Sequence, residues 1–450
     1  MKINKHLLLT LALLCCASMK LCAQRVLVSG VPWYDDRDSI VSAHGGNIVF
    51  EDGTYYLFGE YKTDSANVFN GFSCYSSTDL VNWKFESIAL PVQKSGRLGP
   101  RTVGERPKVL HCPYNGEYVM YMHTDNLAYK DPQICYATSK SITGPYTLKG
   151  AIMLNGQPMK RWDLGAFVDD DGKAYLLCHG GEIYRLSMDY HSIISTICKG
   201  LEGFGEAPAM FHKDGKYYFL GSQKTSWERN DNHYYTANSI FGPWTLKGTF
   251  APKGTLTWNS QSNFVLPYES NGKKIYMYMG DRWSFPKQHS AATYVWQPIN
   301  TEEGEMSLPR LKQFWDPYYG SAETIKKLGS GTATPNTIVL NTPGETFDAS
   351  VKIKEGGRIA LEGSTSRAGG YARVSLQQVD GWKEIEATID MYSKHNATGL
   401  VYLSPKLPKG VYHVKVTVDD MKSNWTDKTK TIYGTLGTRV DISNIWAIDQ

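Results

Sequence analysis

Five polar residues, His44, Glu105, Asp163, Glu206 and Gln261, each stand at or near the head of a short apolar or aromatic stretch. Three of them are acids. Glu206 opens Glu206-Ala207-Pro208-Ala209-Met210-Phe211 with Phe204 just before it, and Asp163 follows Trp162. A carboxyl group in apolar surroundings and close to a second negative charge stays protonated to higher pH, which makes it a general acid. Hydrolysis of a glycosidic bond needs such a group to protonate the leaving oxygen, and a second group to activate water. Glu206 suits the acid, and Asp163 suits a neighbour that tunes it. Taken singly, each acid reads equally well as a surface ion pair or a strand-end cap. The argument for chemistry is their shared placement.

That placement comes from the elements that follow. Turn-plus-aromatic-strand units recur at Asp52-Gly53, Asn115-Gly116, Asp171-Gly172, Asp214-Gly215 and Asn271-Gly272. These dipeptides are strong hairpin signals, because both residues tolerate positive φ. His44, Asp163 and Glu206 lie nine residues before their turn glycine, and Glu105 and Gln261 eleven before theirs. Strand periodicity is two, so odd offsets put all five side chains on the same kind of face. The turn glycines are 63, 56, 43 and 57 residues apart, room for about four short strands each time. Outer segments echo one another as well: Gly144-Pro145-Tyr146-Thr147-Leu148-Lys149-Gly150 returns as Gly242-Pro243-Trp244-Thr245-Leu246-Lys247-Gly248. The pattern predicts an all-β chain with a five-bladed β-propeller over residues 25–320, whose inner strands bring the five openings to one mouth.

After Gly320 the repeat stops. Gly329-Ser330-Gly331-Thr332 reads as a linker, and residues 335–450 read as a C-terminal β-sandwich, either carbohydrate-binding or a buttress for the propeller. At the other end, Lys2 and Lys5 precede the apolar run Leu7 to Leu14, and Leu21-Cys22-Ala23 resembles a peptidase site. Residues 1–23 therefore read as a signal peptide for export to the periplasm or beyond, with Lys20 arguing against a lipoprotein. Losing Lys2, Lys5 and Lys20 takes the formal charge from +4 to +1, which gives no footing for nucleic-acid binding. No later run is long enough to span a membrane. Cys74, Cys112, Cys135, Cys178 and Cys198 read as small buried hydrophobes, with room for one disulfide.

Together, Ala43-His44-Gly45-Gly46-Asn47, Phe58-Gly59-Glu60-Tyr61-Lys62, Gly104-Glu105-Arg106-Pro107-Lys108, Trp162-Asp163-Leu164-Gly165, Glu206-Ala207-Pro208 and Ser260-Gln261-Ser262-Asn263 resemble glycoside hydrolase family 43, and within it the exo-β-1,3-galactanase branch. The resemblance implies an inverting propeller enzyme with Glu206 as general acid and Asp163 as modulator of its pKa. Blade one departs from the wider family, which opens it with an aspartate base where this chain has His44; the galactanase branch shares that departure. Gln261 and Glu105 are then left to handle the attacking water. A neutral amide is a poor base, which favours Glu105; the resemblance favours Gln261 as water holder with Glu105 on the sugar. Glu60 and Tyr129 fit the family's sugar-binding pattern, and His123, Asp281, Arg282 and Trp283 are further rim candidates. Trp227, Trp258 and Trp283 read equally as packing, His123 as structural rather than metal-binding, and His44 as either a sugar contact or a buried histidine. The resemblance implies chemistry that requires no cofactor or metal, and leaves a structural calcium in the propeller open, with no residue pattern to derive it from. The expected substrate is β-1,3-linked galactan, such as an arabinogalactan backbone, met by a monomer. The rivals are an α-L-arabinofuranosidase or β-xylosidase on the same fold, and a non-catalytic glycan-binding propeller.

Overall fold

The computed structural model describes residues 25–65, 67–321, 323–381, 384–427 and 429–449. The expected signal peptide lies outside them. Where Asp-Gly or Asn-Gly predicted a reversal, the chain reverses. Asp52, Asp214 and Asn271 have φ of 45°, 51° and 48°, and their glycines 78°, 73° and 70°, the left-handed pair of a tight hairpin turn. These turns join His44–Glu51 to Thr54–Glu60, Glu206–Lys213 to Lys216–Ser222, and Gln261–Ser270 to Lys273–Arg282. The corresponding hairpins of blades two and three pair Thr102–Cys112 with Glu117–Asn126 and Leu164–Val168 with Ala174–Cys178. Antiparallel outer strands extend each hairpin, to four strands in the first four blades and three in the fifth.

Blade five is completed from both sides of the propeller sequence. Leu27–Val28 pairs with Phe314–Trp315, while Gly30 N donates to Tyr294 O at 2.7 Å and Ser29 Oγ to Trp296 O at 3.0 Å. The beginning of the described chain thereby lies against the third strand, Thr293–Pro298, and closes the ring.

Alternation along the strands gives each sheet two apolar faces, and each face meets the next blade. Leu57 and Tyr75 meet Met277 and Trp296; Phe58 and Cys74 meet Met120 and Cys135; Tyr121 meets Leu176 and Tyr184. Leu177 and Ile183 meet Phe219 and Tyr235, and Leu220 meets Val265 and Tyr278. The five cysteines among the described residues are free, and all but Cys198 are buried.

The C-terminal unit is a two-layered sandwich built on one long bent strand, Thr346–Thr365. Its first half pairs with Leu407–Val418, continuing to Tyr371–Gln378 and Glu384–Asp390. Its second half pairs with Val440–Asp449 and Ala397–Leu403. Ile359, Leu361, Val374, Val414, Val416 and Ile442 fill the space between. One expectation is corrected here. The Gly-Ser-Gly-Thr stretch is no linker: Ser330–Leu340 is a strand paired with Val440–Asp449 at the sheet edge. An edge strand has one neighbour, so backbone pairing suffices where the side chains are small. Among the described residues, no helix is long and apolar enough to cross a membrane.

Candidate active site

Four of the five inner strands begin with the same local device. His44 pairs with Glu60 but Asn47 with Phe58; Glu105 with His123 but Lys108 with Tyr121; Glu206 with Ser222 but Ala209 with Leu220; Ser262 with Gly280 but Phe264 with Met279. Each shift is a one-residue bulge, which turns the opening residue without disturbing the register beyond it. In three of them the next residue is left-handed: Gly45 at 68°, Arg106 at 54° and Ala207 at 56°. Blade three lacks the bulge. Asp163 stands just ahead of its strand, its carbonyl accepting from His179 N at 3.0 Å, and the turn after Val168 is longer. The nine-residue spacing shared by Asp163 and Glu206 therefore comes from two different backbones. The second strands supply a further ring of groups opposite the openings: Glu60, His123, Ser222 and Asp281.

Around Glu206 the polar contacts form a closed set. Gln261 Nε2 donates to Glu206 Oε1 at 3.0 Å and to Ser222 Oγ at 3.1 Å. Gln261 Oε1 accepts from Arg106 Nη2 at 2.7 Å and from Trp283 Nε1 at 2.8 Å. Those two groups are donors only, so the amide orientation is fixed by its partners. Arg106 Nη2 also lies 3.1 Å from Asp163 Oδ2, which accepts from Ala207 N at 3.0 Å. Burial, and then the Asp163 charge, push the Glu206 carboxyl up to about 8, against the opposing pull of Arg106 and the Gln261 amide. Near neutral pH it carries a proton in a site that also holds an ionised partner.

Glu105 has the opposite setting. Its Oε2 lies 2.9 Å from His123 Nδ1, and Oε1 accepts from Tyr129 OH at 2.7 Å and from Asn67 Nδ2. Burial alone would raise this carboxyl, but the His123 bond and charge, Lys62 and Tyr129 outweigh it and hold it at about 2. His123 Nε2 reaches Asp125 Oδ2 at 3.4 Å; burial works against the imidazolium, and the two carboxylates still lift it to about 9. With both ring nitrogens engaged, His123 is a structural cation. Lys62 is ion-paired with Glu60, whose Oε1 accepts from Arg106 N at 3.0 Å.

The other candidates fall into two groups. Trp283 lies at the centre, 3% exposed, with Lys62 Nζ 5.2 Å and the Arg106 guanidinium 5.6 Å from its ring. Trp227, half-buried, is edge-on to it at 5.6 Å and stacks on Phe285. His44 and Asp281 are buried and Arg282 is partly buried, all three engaged inside the ring rather than at an exposed rim, and His44 is a buried, hydrogen-bonded histidine. His44 is fully buried, its Nδ1 2.9 Å from Asp281 Oδ1, its ring stacked on Tyr294. Asp281 Oδ2 accepts from Gly45 N at 3.0 Å. Arg282 spends its guanidinium on the carbonyls of Asn259, Trp258 and Gly30. Trp258 packs in the shell, its Nε1 donating to Leu308 O.

Sequence reasoning missed Arg106, Lys108, Ser222 and the pair Trp162–His179. Arg106 and Lys108 follow Glu105 at the innermost positions of a strand, where a cation has no solvent and must be held by carboxylates or carbonyls; that was the available signal. Burial and then the Arg106 charge draw Lys108 down to about 7. Its amino group donates to Gly45 O and to Asn263 Oδ1, filling the centre with a buried amine whose charge the site disfavours. Trp162 stacks on His179 at 3.4 Å, with Lys224 Nζ 5.1 Å from its ring. Among the described residues, Asp169, Asp170 and His212 alone group closely enough to hold a metal ion. They sit at the turn end of blades three and four, the far end of the strands from Asp163 and Glu206.

A buried neutral acid, a carboxylate beside it and a second carboxylate held ionised are the working parts of glycoside hydrolysis. The comparisons with known proteins agree. Residues 42–249 match the model of the glycosyl hydrolases family 43. The exo-β-1,3-galactanase of Phanerochaete chrysosporium is 26% identical, with 94% of this chain and 99% of that one covered and a TM-score of 0.68. A Bifidobacterium bifidum protein described as a provisional exo-β-1,3-galactanase is 35% identical over 66% of this chain and 99% of its own, with a TM-score of 0.59. An exo-β-1,3-galactanase of Clostridium thermocellum is 30% identical, covering 71% of each chain, at 0.61. The arabinoxylan arabinofuranohydrolase of Bacillus subtilis is 25% identical over 271 residues, and the chain spans about half the length of that curated relative. Fold, acid pair and relatives converge: the chain belongs to glycoside hydrolase family 43.

Proposed function

We propose that the protein is an exported, inverting exo-glycosidase that releases galactose from the non-reducing end of β-1,3-galactan. The observation that carries this reading is the protonated Glu206 held beside Asp163 and hydrogen-bonded by Gln261. Its support in substrate comes from relatives: the Phanerochaete enzyme was solved with galactose and, in substituted forms, with β-1,3-galactotriose. Glu206 gives its proton to the departing glycosidic oxygen as water attacks the anomeric carbon from the other face. Glu105 is ionised and oriented by three donors, which equips it to hold that water or a sugar hydroxyl. Gln261 serves as an amide. An imidic tautomer would carry a proton on Oε1, which already accepts from Arg106 and Trp283, so the water's proton falls to Glu105. Glu60 and Tyr129 stand beside Glu105 for the hydroxyls of the bound galactose.

The test is product release from β-1,3-galactan by the unsubstituted protein and Glu206→Gln, with the anomer followed by NMR. α-Galactose from the former alone, mutarotating afterwards, is the expected outcome. β-Galactose as first product would overturn inversion. Arabinose or xylose from other polymers, with silence on galactan, would keep the acid and replace the substrate.

A further inference from the structure

The catalytic centre is connected to the C-terminal sandwich by a short run of directional contacts. Trp283, whose indole N–H fixes Gln261, has its carbonyl held by Arg229 Nη1 at 2.9 Å. Arg229 Nη2 continues to the carbonyl of Tyr392, in the sandwich, at 3.3 Å, and its Nε donates to Asn259 Oδ1 at 2.8 Å. The Tyr392 hydroxyl donates to Glu228 Oε2 at 2.6 Å. Glu228, Arg229 and Tyr392 are each at most 2% exposed. The residue after Trp283 is gripped from the same side: Ser284 Oγ donates to Asp390 Oδ2 at 2.9 Å, and Tyr371 OH to Ser284 O at 3.1 Å. Beyond it, the Phe285 ring meets Trp425 edge-on, and Lys287 Nζ lies 2.7 Å from Asp419 Oδ2.

Apolar surface alone would hold two domains together. Burying a guanidinium and two carboxylates at the junction costs desolvation, and what such groups supply in return is geometry. Here the geometry is delivered to Trp283 and Ser284, the start of the segment that follows Asp281 and Arg282. Of the two donors that orient the Gln261 amide, Arg106 comes from the propeller's own inner strand and Trp283 from this gripped segment.

We propose that the sandwich is a positioning element of the active site: through Tyr392, Arg229 and Ser284 it holds Trp283 so that Gln261 keeps its amide nitrogen on Glu206. The proposal rests on the glycosidase reading of the mouth. With Trp283 released, Arg106 alone holds the Gln261 oxygen, and the turned amide, which offers oxygen to Glu206 where it had offered N–H, gains population. That change favours the protonated acid, so the descending limb of the pH profile moves upward.

The test uses the full chain with Tyr392→Phe, which keeps the carbonyl held by Arg229 but releases Glu228, the residue before Arg229, from the sandwich, and with Arg229→Lys, which keeps the charge but not the three-way bridge. Hydrolysis of β-1,3-galactobiose is followed across pH. The expected result is a kcat lowered about fivefold or more, KM within about twofold, and a descending limb about half a pH unit higher. Trp283→Phe gives the same shift, and adding Tyr392→Phe to it adds nothing further, because both act through one contact. A lowered melting temperature with an unaltered pH profile, or additive losses in the double variant, would overturn the proposal. Crystal structures of Tyr392→Phe and Arg229→Lys supply a readout independent of turnover. Separation of Trp283 Nε1 from Gln261 Oε1 beyond hydrogen-bond range supports the proposal, and an unchanged contact overturns it. Failure of the unsubstituted protein to cleave galactobiose would count against the substrate alone.

Discussion

Replacing Asp163 by Asn removes one negative charge beside Glu206 and keeps the shape of the side chain. Asp163 accepts from Ala207 N and pairs with Arg106; the Asn oxygen still serves the first contact, while Arg106 loses its counter-charge. Both consequences have the same sign, since a missing anion and a less compensated cation each favour ionised Glu206. Two unit charges on the order of 6 Å apart, at an effective dielectric of about 20, interact by about 3 kcal/mol; relaxation of Arg106 and entering water take back roughly half, leaving about one pH unit. Glu206 starts at about 8. At pH 7 about nine-tenths of the molecules then carry the catalytic proton, and about half do in the variant. The assay is kcat/KM against pH, because that ratio titrates the free enzyme. The descending limb should move to lower pH by about one unit, with the loss greatest above neutrality. A limb that stays in place, or moves upward, would refute the assignment of Asp163 as the group that tunes the acid.

Glu206→Gln should abolish turnover yet stabilise the protein at alkaline pH. A carboxyl raised from 4.5 to about 8 in the folded state costs nothing below 4.5 and progressively more up to about 8. The variant's melting temperature should therefore exceed that of the unsubstituted protein at pH 9 and match it near pH 4, by calorimetry. Glu105→Gln should lower kcat/KM by about a thousandfold. The stability that Glu105 contributes is fully present above 4.5 and is lost as pH falls toward about 2, so the variant's deficit in urea should shrink in acid. Tyr129→Phe removes one donor to Glu105 and should cost about 1.5 kcal/mol in kcat/KM, roughly tenfold. Phe219→Ala, at a fully buried position between blades three and four, should cost about 3–5 kcal/mol in denaturant unfolding with the pH profile unaltered.

The blades were legible because their turns are local: Asp-Gly and Asn-Gly specify a reversal regardless of what surrounds them, and repetition supplied the rest. Glu206, Asp163, Glu105 and Gln261 were legible for a related reason, a polar residue at a strand's start. The inward setting of Arg282 and Asp281 was not legible because their strand end lies inside the ring, where His44, Gly45 and Asn259 come from other blades or loops. The ion-pair scheme that makes Glu105 and Glu206 electrical opposites depends on Arg106, His123 and Lys62 meeting across blades. Sequence adjacency carries no trace of that. Only the first part of the strand at Ser330–Leu340 was hidden, and for a different reason: its pairing partner is about a hundred residues away, and the composition from Ser330 to Asn336 is that of a turn, whereas Thr337-Ile338-Val339-Leu340 reads as strand.

The bulges at the heads of the inner strands separate what the mouth does from how the blades pack. Past Asn47, Lys108, Ala209 and Phe264 the ladders run in regular register, whatever residue stands in front. An opening residue is thus a replaceable tool in a fixed socket. Blade one illustrates the point: its socket holds a histidine clamped to Asp281, while the hairpin behind it is built like the others. A scaffold of this kind can change its reaction one blade at a time, and its catalytic repertoire is wider than its folding requirements.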